Sequence, residues 1–405
     1  MMEANKSCIL IINGGSSSIK FALYNIEEEL ILLLYGQIEN IGTKNTKLSF
    51  NKTAINHKGE LNMELAGQEV IASSLIDWLE KQDDFGSVKA IGHRIVHGMK
   101  HTEPEQITPA LLEELKGISA YDPEHMPGAL QLIEGFGKRY PALVQVACFD
   151  TSFHAAMPPV AKLLPIPRRF SAKGVQRYGF HGLSYAWLME ELNRIAGHET
   201  AQGRIILAHL GNGASLAAVK GGRSLDTSMG FTPASGLPMG TRSGDLDPGL
   251  AWYFMQMERL SPEQFSQLIN HESGLLGVSE TSSDMRELMK YETTDHRAAE
   301  AIELFCYQTK KWIGAYAAVL GGLDTLVFSG GIGEHAPEIR SRICRDLQFL
   351  GIELEETRNV KNAAIISTDK SKVCVRVMQT NEELMIARLV LDLVGFKNLR
   401  GLEVN

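Results

Sequence analysis

Two stretches set about 200 residues apart repeat one design, and that repeat limits the fold more than any other feature. Leu10 to Tyr24 reads LIINGGSSSIKFALY. An apolar run stops at Asn13, passes through glycines and serines, and resumes as an alternating apolar run after Lys20. Residues 203–222 read GRIILAHLGNGASLAAVKGG, again a strand, a small-residue turn and a strand. A third variant, LDTLVFSGGIGEHAPEIRSRIC at 323–344, runs a strand through a glycine turn into a helix. Such a chain is expected to be α/β, a duplicated domain with a cleft between its copies. Glycines let a backbone approach a ligand, and successive N–H groups in a tight turn form an anion-binding concavity. The competing reading is a hairpin whose serines cap their own backbone. The P-loop pattern GxxxxGK[ST] is absent.

The 405 residues suffice for two or three domains and a large core. A net charge of −8 implies no broad basic surface, so nucleic acid is not an expected partner. Five scattered cysteines, none in a CxxC pair, point away from a disulfide framework or zinc site and toward a reducing cytosol. The apolar run after MMEANKSC is too short for a signal peptide, and no stretch reaches the length of a membrane span.

Further strands are expected at 30–36, 88–98 and 143–154, and helices at 64–81 and 108–119. Polar residues gather at the strand ends. GHRIVHG (92–98) sets Arg94 beside an apolar run. His93, His97 and His101 invite a metal reading, but the segment reads as a strand and has no HExxH pattern or acidic partner, so no metal is assigned there. FDTSFH places Asp150 at a strand end, YGFHGLSY places His181 between glycines, and MGTRSGDLDPG places Arg242 in a glycine-rich loop. Two arginines, an aspartate, a histidine and phosphate-type loops are the equipment of phosphoryl transfer, where positioning and charge neutralisation do most of the catalysis. TNEELMIARLV (380–390) is a helix start by spacing, capped by Thr380 or Asn381. The other reading makes one of its glutamates part of a magnesium shell.

These segments, with DTSMGFTP and SSDMREL, occur in an order that resembles the acetokinase family across nearly the whole chain. The resemblance implies two actin-like ATPase (ribonuclease H-like) domains facing a cleft, 1–150 plus 381–405 and 151–380. It implies ATP-dependent phosphorylation of a short-chain carboxylate, acetate first, to an acyl phosphate and ADP. Propionate or another short acid is the alternative, and a non-catalytic nucleotide-binding regulator is the rival from another class. A sugar kinase would need a base for a hydroxyl, whereas arginines suit an anion.

Carried over by motif, Arg94 would hold the substrate carboxylate, with Val96, His125, Phe180 and Pro233 around it. Asp150 would be the essential aspartate, and His181 and Arg242 would stabilise the transferring phosphoryl group. Lys20, His209, Leu210, Gly211, Asn212, Gly213, Asp284, Met285, Arg286, Gly331, Ile332, Gly333, Glu334 and His335 would contact the nucleotide. Asn13 and Glu382 would lie by Mg²⁺, with Mn²⁺ as a substitute. A homodimer in the cytoplasm is implied, with no membrane partner. The chain departs from the family at DPEHMPG (122–128), where Glu124 and Met126 replace a leucine and an asparagine, and again at Met99, Leu183, Tyr185 and the centre of FTPASGLPMG. These departures are expected to cluster on the substrate side.

Overall fold

The computed structural model describes residues 6–15, 18–41, 45–63, 68–122 and 124–395. Ser16 and Ser17 of the first turn, the start of the expected helix at 64–67, and the tail 396–405 lie outside these residues. The chain divides into two compact units, residues 1–152 with 381–405, and residues 153–380.

The first unit is built on eight strands: β1 (Cys8–Gly14), β2 (Ile19–Ile26), β3 (Leu30–Glu39), β4 (Lys47–Lys52), β5 (His57–Asn62), β6 (Val88–Ile95), β7 (Glu105–Gln106) and β8 (Val144–Phe149). Their order is β5-β4-β3-β2-β1-β6-β8-β7. β1 pairs antiparallel with β2 and parallel with β6, and β6 pairs parallel with β8. Every residue of β1 is buried, as expected for a central strand covered on both faces. Leu10, Ile12, Phe21 and Leu23 share one core with Ile71, Leu75 and Leu79 of the helix Gln68–Leu79. The last helix, Glu382–Val394, packs against β1 and β6. It comes so close that a Cβ on Gly92 would lie 2.6 Å from Ile386 and 2.7 Å from Val390. A glycine in mid-strand here seats a helix.

The second unit carries β9 (Arg204–Leu210), β10 (Ala214–Lys220), β11 (Arg223–Thr227), β12 (Thr325–Ser329) and β13 (Cys374–Val377), in the order β11-β10-β9-β12-β13. β9 pairs antiparallel with β10 and parallel with β12, and β12 pairs parallel with β13. This is the arrangement of β3-β2-β1-β6-β8 over again. The repeated turn therefore marks a repeated sheet. Tyr185, Leu188 and Leu192 of the helix Gly182–Ala196 pack on Ile205, Leu207, Ala217 and Val219. The long helix His296–Leu320 buries Ala298, Ile302, Phe305, Thr309, Ile313, Tyr316 and Leu320, the three-and-four spacing of a helix laid on a sheet. It packs against β9, β10 and β11.

Candidate active site

In the first unit the site grows from strand ends. Asn13 closes β1 directly opposite Lys20 on β2, so the two share one face of the sheet. The buried Asn13 Nδ2 donates at 2.9 Å to both Glu382 Oε2 and Glu383 Oε1. The cap of that helix is Asn381, whose side chain accepts from the Leu384 amide. Glu382 is thus left to meet Asn13, and Glu383, which the carry-over by motif left out, joins it.

Arg94 lies next to the end of β6. Its Nη2 and Nε donate to Asp150 Oδ2 at 2.5 and 3.1 Å, and its Nη1 reaches Asn13 Oδ1 at 3.4 Å. Burial alone would lower the guanidinium pKa. Asp150, then Glu382 and Asp122, outweigh that and hold it above its ordinary value. His125 precedes the helix Met126–Arg139, and its Nδ1 lies 2.8 Å from Oδ1 of the buried Asp122. Glu124 is partly exposed in the same turn, and Val96 is buried.

The three histidines of the 93–101 segment go to separate partners. His93 meets Gln145 at 2.7 Å, and burial draws its pKa down to about 4. His97 Nδ1 accepts from the Met99 amide, and His101 lies between Glu105 and Glu114. Met99 itself sits at φ 49°, a left-handed position that favours glycine.

In the second unit the turn between β9 and β10 carries the matching group. His181 stands at the N-cap of Gly182–Ala196 with φ 57°, a strained position of the kind that persists at functional sites. Its Nδ1 is 2.8 Å from Ser215 Oγ, and its ring lies 4.4 Å from that of His209. A Cβ on Gly213 would come within 3.2 Å of His181 Nε2 and 3.6 Å of Arg242 Nη2. The missing side chain lets both groups approach the turn closely. Arg242 is anchored through Nη1, which donates to the Pro233 carbonyl at 2.9 Å. Phe180 is buried, and its carbonyl accepts from His154. Gly240 N donates to Asn212 O, tying the arginine loop to the β9–β10 turn.

The remaining segments expected to contact nucleotide lie by the same turn or start helices. A Cβ on Gly211 would lie 3.9 Å from Gly331 N, so the turn adjoins the helix Gly330–His335. Glu334 turns back to accept from Gly330 N, and His335 is largely exposed. Asp284 caps the helix Met285–Tyr291 and pairs with the exposed Arg286, whose hydrogen bond lowers the Asp284 pKa. Sequence reasoning also missed Arg340. It is fully buried, and its five N–H groups go to Asn359 Oδ1 and O, Asn362 Oδ1, and the carbonyls of Gly333 and Glu334. Burial pulls its pKa down to about 10.

Tyr185 and Leu183 belong to the second unit. Both are buried core residues, and Tyr185 Oη lies 2.5 Å from Ser215 Oγ. Ser215 opens with Ala214 the strand that follows the β9–β10 turn.

Among the described residues no three His, Cys, Asp or Glu side chains converge to hold an ion by themselves. The oxygens of Glu382 and Asn13 are hard donors. They fit Mg²⁺, which keeps several waters and takes one or two carboxylates plus phosphate. No described helix is long and apolar enough to cross a membrane.

Two sheets of one topology, with glycine turns at their strand ends, define a nucleotide-dependent phosphotransferase of the two-domain actin-like ATPase fold. The family model described as the acetokinase family matches residues 8–388, and the chain belongs to that family. The acetate kinase of Rhodopseudomonas palustris (strain TIE-1) is 42% identical over 388 residues, which are 94% of this chain and 97% of the relative. The crystal structure of Porphyromonas gingivalis acetate kinase superposes with a TM-score of 0.85 at 37% identity, covering 96% of this chain and 100% of that one. A propionate kinase from Francisella tularensis gives 0.88 at 37% identity, covering 95% and 98%.

Proposed function

We propose that this chain moves the γ-phosphoryl group of ATP onto the carboxylate of a short-chain acid, acetate first, by direct and reversible in-line transfer. The observation that carries the reading is the convergence of His181 Nε2 and Arg242 Nη2 on Gly213, in a chain that matches the family over residues 8–388.

The physical logic is charge. A carboxylate nucleophile is ionised at neutral pH and needs no strong base. It needs relief from repulsion as it approaches a phosphate. Arg94 would take the acid's carboxylate, with Val96, His125, Phe180 and Pro233 shaping its surroundings. Asp150 would hold the Arg94 guanidinium in place and would not abstract a proton. His181 and Arg242 would receive the charge that spreads over the phosphoryl oxygens. Lys20, His209 to Gly213, Asp284 to Arg286 and Gly331 to His335 would hold the nucleotide. Mg²⁺, or Mn²⁺ in its place, would be held by Glu382 and Asn13, largely through water. When bound, it supplies positive charge to the phosphates.

A second reading keeps the mechanism and moves the acid to propionate. Glu124 and Met126 depart from the family in the DPEHMPG turn, and the chain is also similar to a propionate kinase. We extend the proposal to a homodimer in the cytoplasm, supported by the resemblance alone and checked by sedimentation.

The test is acyl phosphate formation with Mg-ATP across formate, acetate, propionate, butyrate and longer or hydroxylated acids, trapped with hydroxylamine. Highest kcat/KM for acetate is expected. A preference for propionate selects the second reading. Nucleotide binding with no acid turned over would replace the enzyme with a regulatory protein.

A further inference from the structure

We infer that Ser215 and Tyr185 are positioning residues that lock His181 in a single tautomer, with its proton on Nε2. The inference rests on the reading of His181 as a group that faces the transferring phosphoryl.

The geometry is a short relay inside the second unit. His181 and Tyr185 are four residues apart on one helix face, and Tyr185 N donates to the His181 carbonyl at 3.0 Å. Ser215 reaches both from β10. Its Oγ lies 2.5 Å from Tyr185 Oη and 2.8 Å from His181 Nδ1. Ser215 and Tyr185 are both fully buried, so the link is shielded from water. Rings of Phe153 and His154 pack around the tyrosine and fix its orientation.

Proton direction follows from the chemistry. A serine hydroxyl has one proton to give and lone pairs to receive with. A phenol is much the stronger acid of the two hydroxyls, so the short bond runs from Tyr185 O–H to Ser215 Oγ. The serine proton then goes to the other neighbour, His181 Nδ1. A ring nitrogen that accepts carries no proton, and in a neutral imidazole the proton then sits on the other nitrogen. That nitrogen, Nε2, is the one that approaches Gly213, beside Arg242 Nη2. Both groups therefore present donors to the same spot, which suits an anion. The opposite tautomer would present a lone pair there and repel it.

The test labels histidine with ¹⁵N and reads the two ring nitrogens of His181 in the full-length protein, assigned by their loss in His181→Gln. A bare Nδ1 and a protonated Nε2 are expected. In Ser215→Ala the Nδ1 signal should move toward a protonated nitrogen, and kcat should fall at least about tenfold. The KM values for ATP and the acid should stay within about twofold. Tyr185→Phe keeps the core shape and should shift both readouts the same way by less. A proton found on Nδ1 in the unaltered protein overturns the inference. So does an unchanged tautomer with unchanged kcat in both variants. If His181→Gln keeps its kcat, the phosphoryl reading of His181 falls, and the positioning role falls with it. A wrong tautomer in an enzyme that needs His181 overturns this inference alone.

Discussion

Arg94 gives two of its nitrogens to one oxygen of Asp150, at 2.5 and 3.1 Å, and that aspartate is completely buried. A paired buried charge is costly to break, because the remaining partner is left uncompensated. Asp150→Asn should therefore do two things. It should destabilise the protein by about 3 kcal/mol, read by urea unfolding. It should also cut kcat by roughly a hundredfold, because Arg94 loses its fixed aim. Near-normal activity in this variant would remove the idea of an essential charge at position 150.

The amide of Asn13 bridges Glu382 and Glu383, yet the magnesium reading assigns only Glu382. Glu382→Gln should raise the Mg²⁺ concentration for half-maximal rate by roughly tenfold, and kcat should largely recover at saturating Mg²⁺. Glu383→Gln should do markedly less. Titrations of Mg²⁺ at fixed ATP separate the two. Equal effects would mean that the pair acts as a single anionic edge.

Gly213→Ala is a steric probe. The new methyl would sit 3.2 Å from His181 Nε2 and 3.6 Å from Arg242 Nη2, in the space proposed for the phosphoryl group. The expected result is a fall in kcat of roughly a hundredfold, with a change in stability within about 1 kcal/mol. A kinetically normal alanine variant would show that the reacting group lies elsewhere.

Acid should weaken the fold through two buried histidines. Burial lowers both His93 and His154 to about 4, from an ordinary 6.5. The unfolded chain then binds more protons than the folded one between those values. Stability is fully present above about 6.5 and is lost as pH falls toward 4. The slope of unfolding free energy against pH over that range should be shallower in His93→Gln and His154→Gln than in the unaltered protein. An unchanged slope would mean that neither ring stays neutral in the fold.

Glu124→Leu asks whether the turn before His125 sets the acid. A charged group is out of place on a wall for a methyl group. The substitution should change the ratio of kcat/KM for acetate and propionate and leave the ATP KM within about twofold. An unaltered ratio would place Glu124 outside the acid's surroundings.

The central strands were legible because buried strands carry plain signals. β1, β2, β9 and β10 are apolar runs broken by small-residue turns, and Arg94 and Asp150 stood out as charges at the ends of such runs. The β4–β5 hairpin was not legible. HKGELN is polar and mostly exposed, as suits an outer strand, and KLSFNK is polar with Leu48 alone fully buried. The helix Met126–Arg139 was hidden by three glycines and a proline at its start. Of the site, the motifs gave the residues that would touch ligand, and the supporting partners were out of reach. Ser215 meets His181 across 34 residues, and Arg340 meets Asn359 across 19. No local spacing encodes such contacts. Asp122 and His125 are only three apart, but nothing in DPEH says that the aspartate is buried.

Arg340 has a consequence for how a nucleotide would be received. With every N–H of its guanidinium spent on neutral oxygens, it clamps the end of the glycine helix before any ligand arrives. A seat assembled in advance has no disorder to give up, so the affinity of that turn would be limited by the freedom the nucleotide loses and hardly at all by the protein's own. The clamp is also insensitive to salt and to acid, since no carboxylate takes part in its hydrogen bonds. The turn would keep its shape under conditions in which the Arg94–Asp150 pair does not.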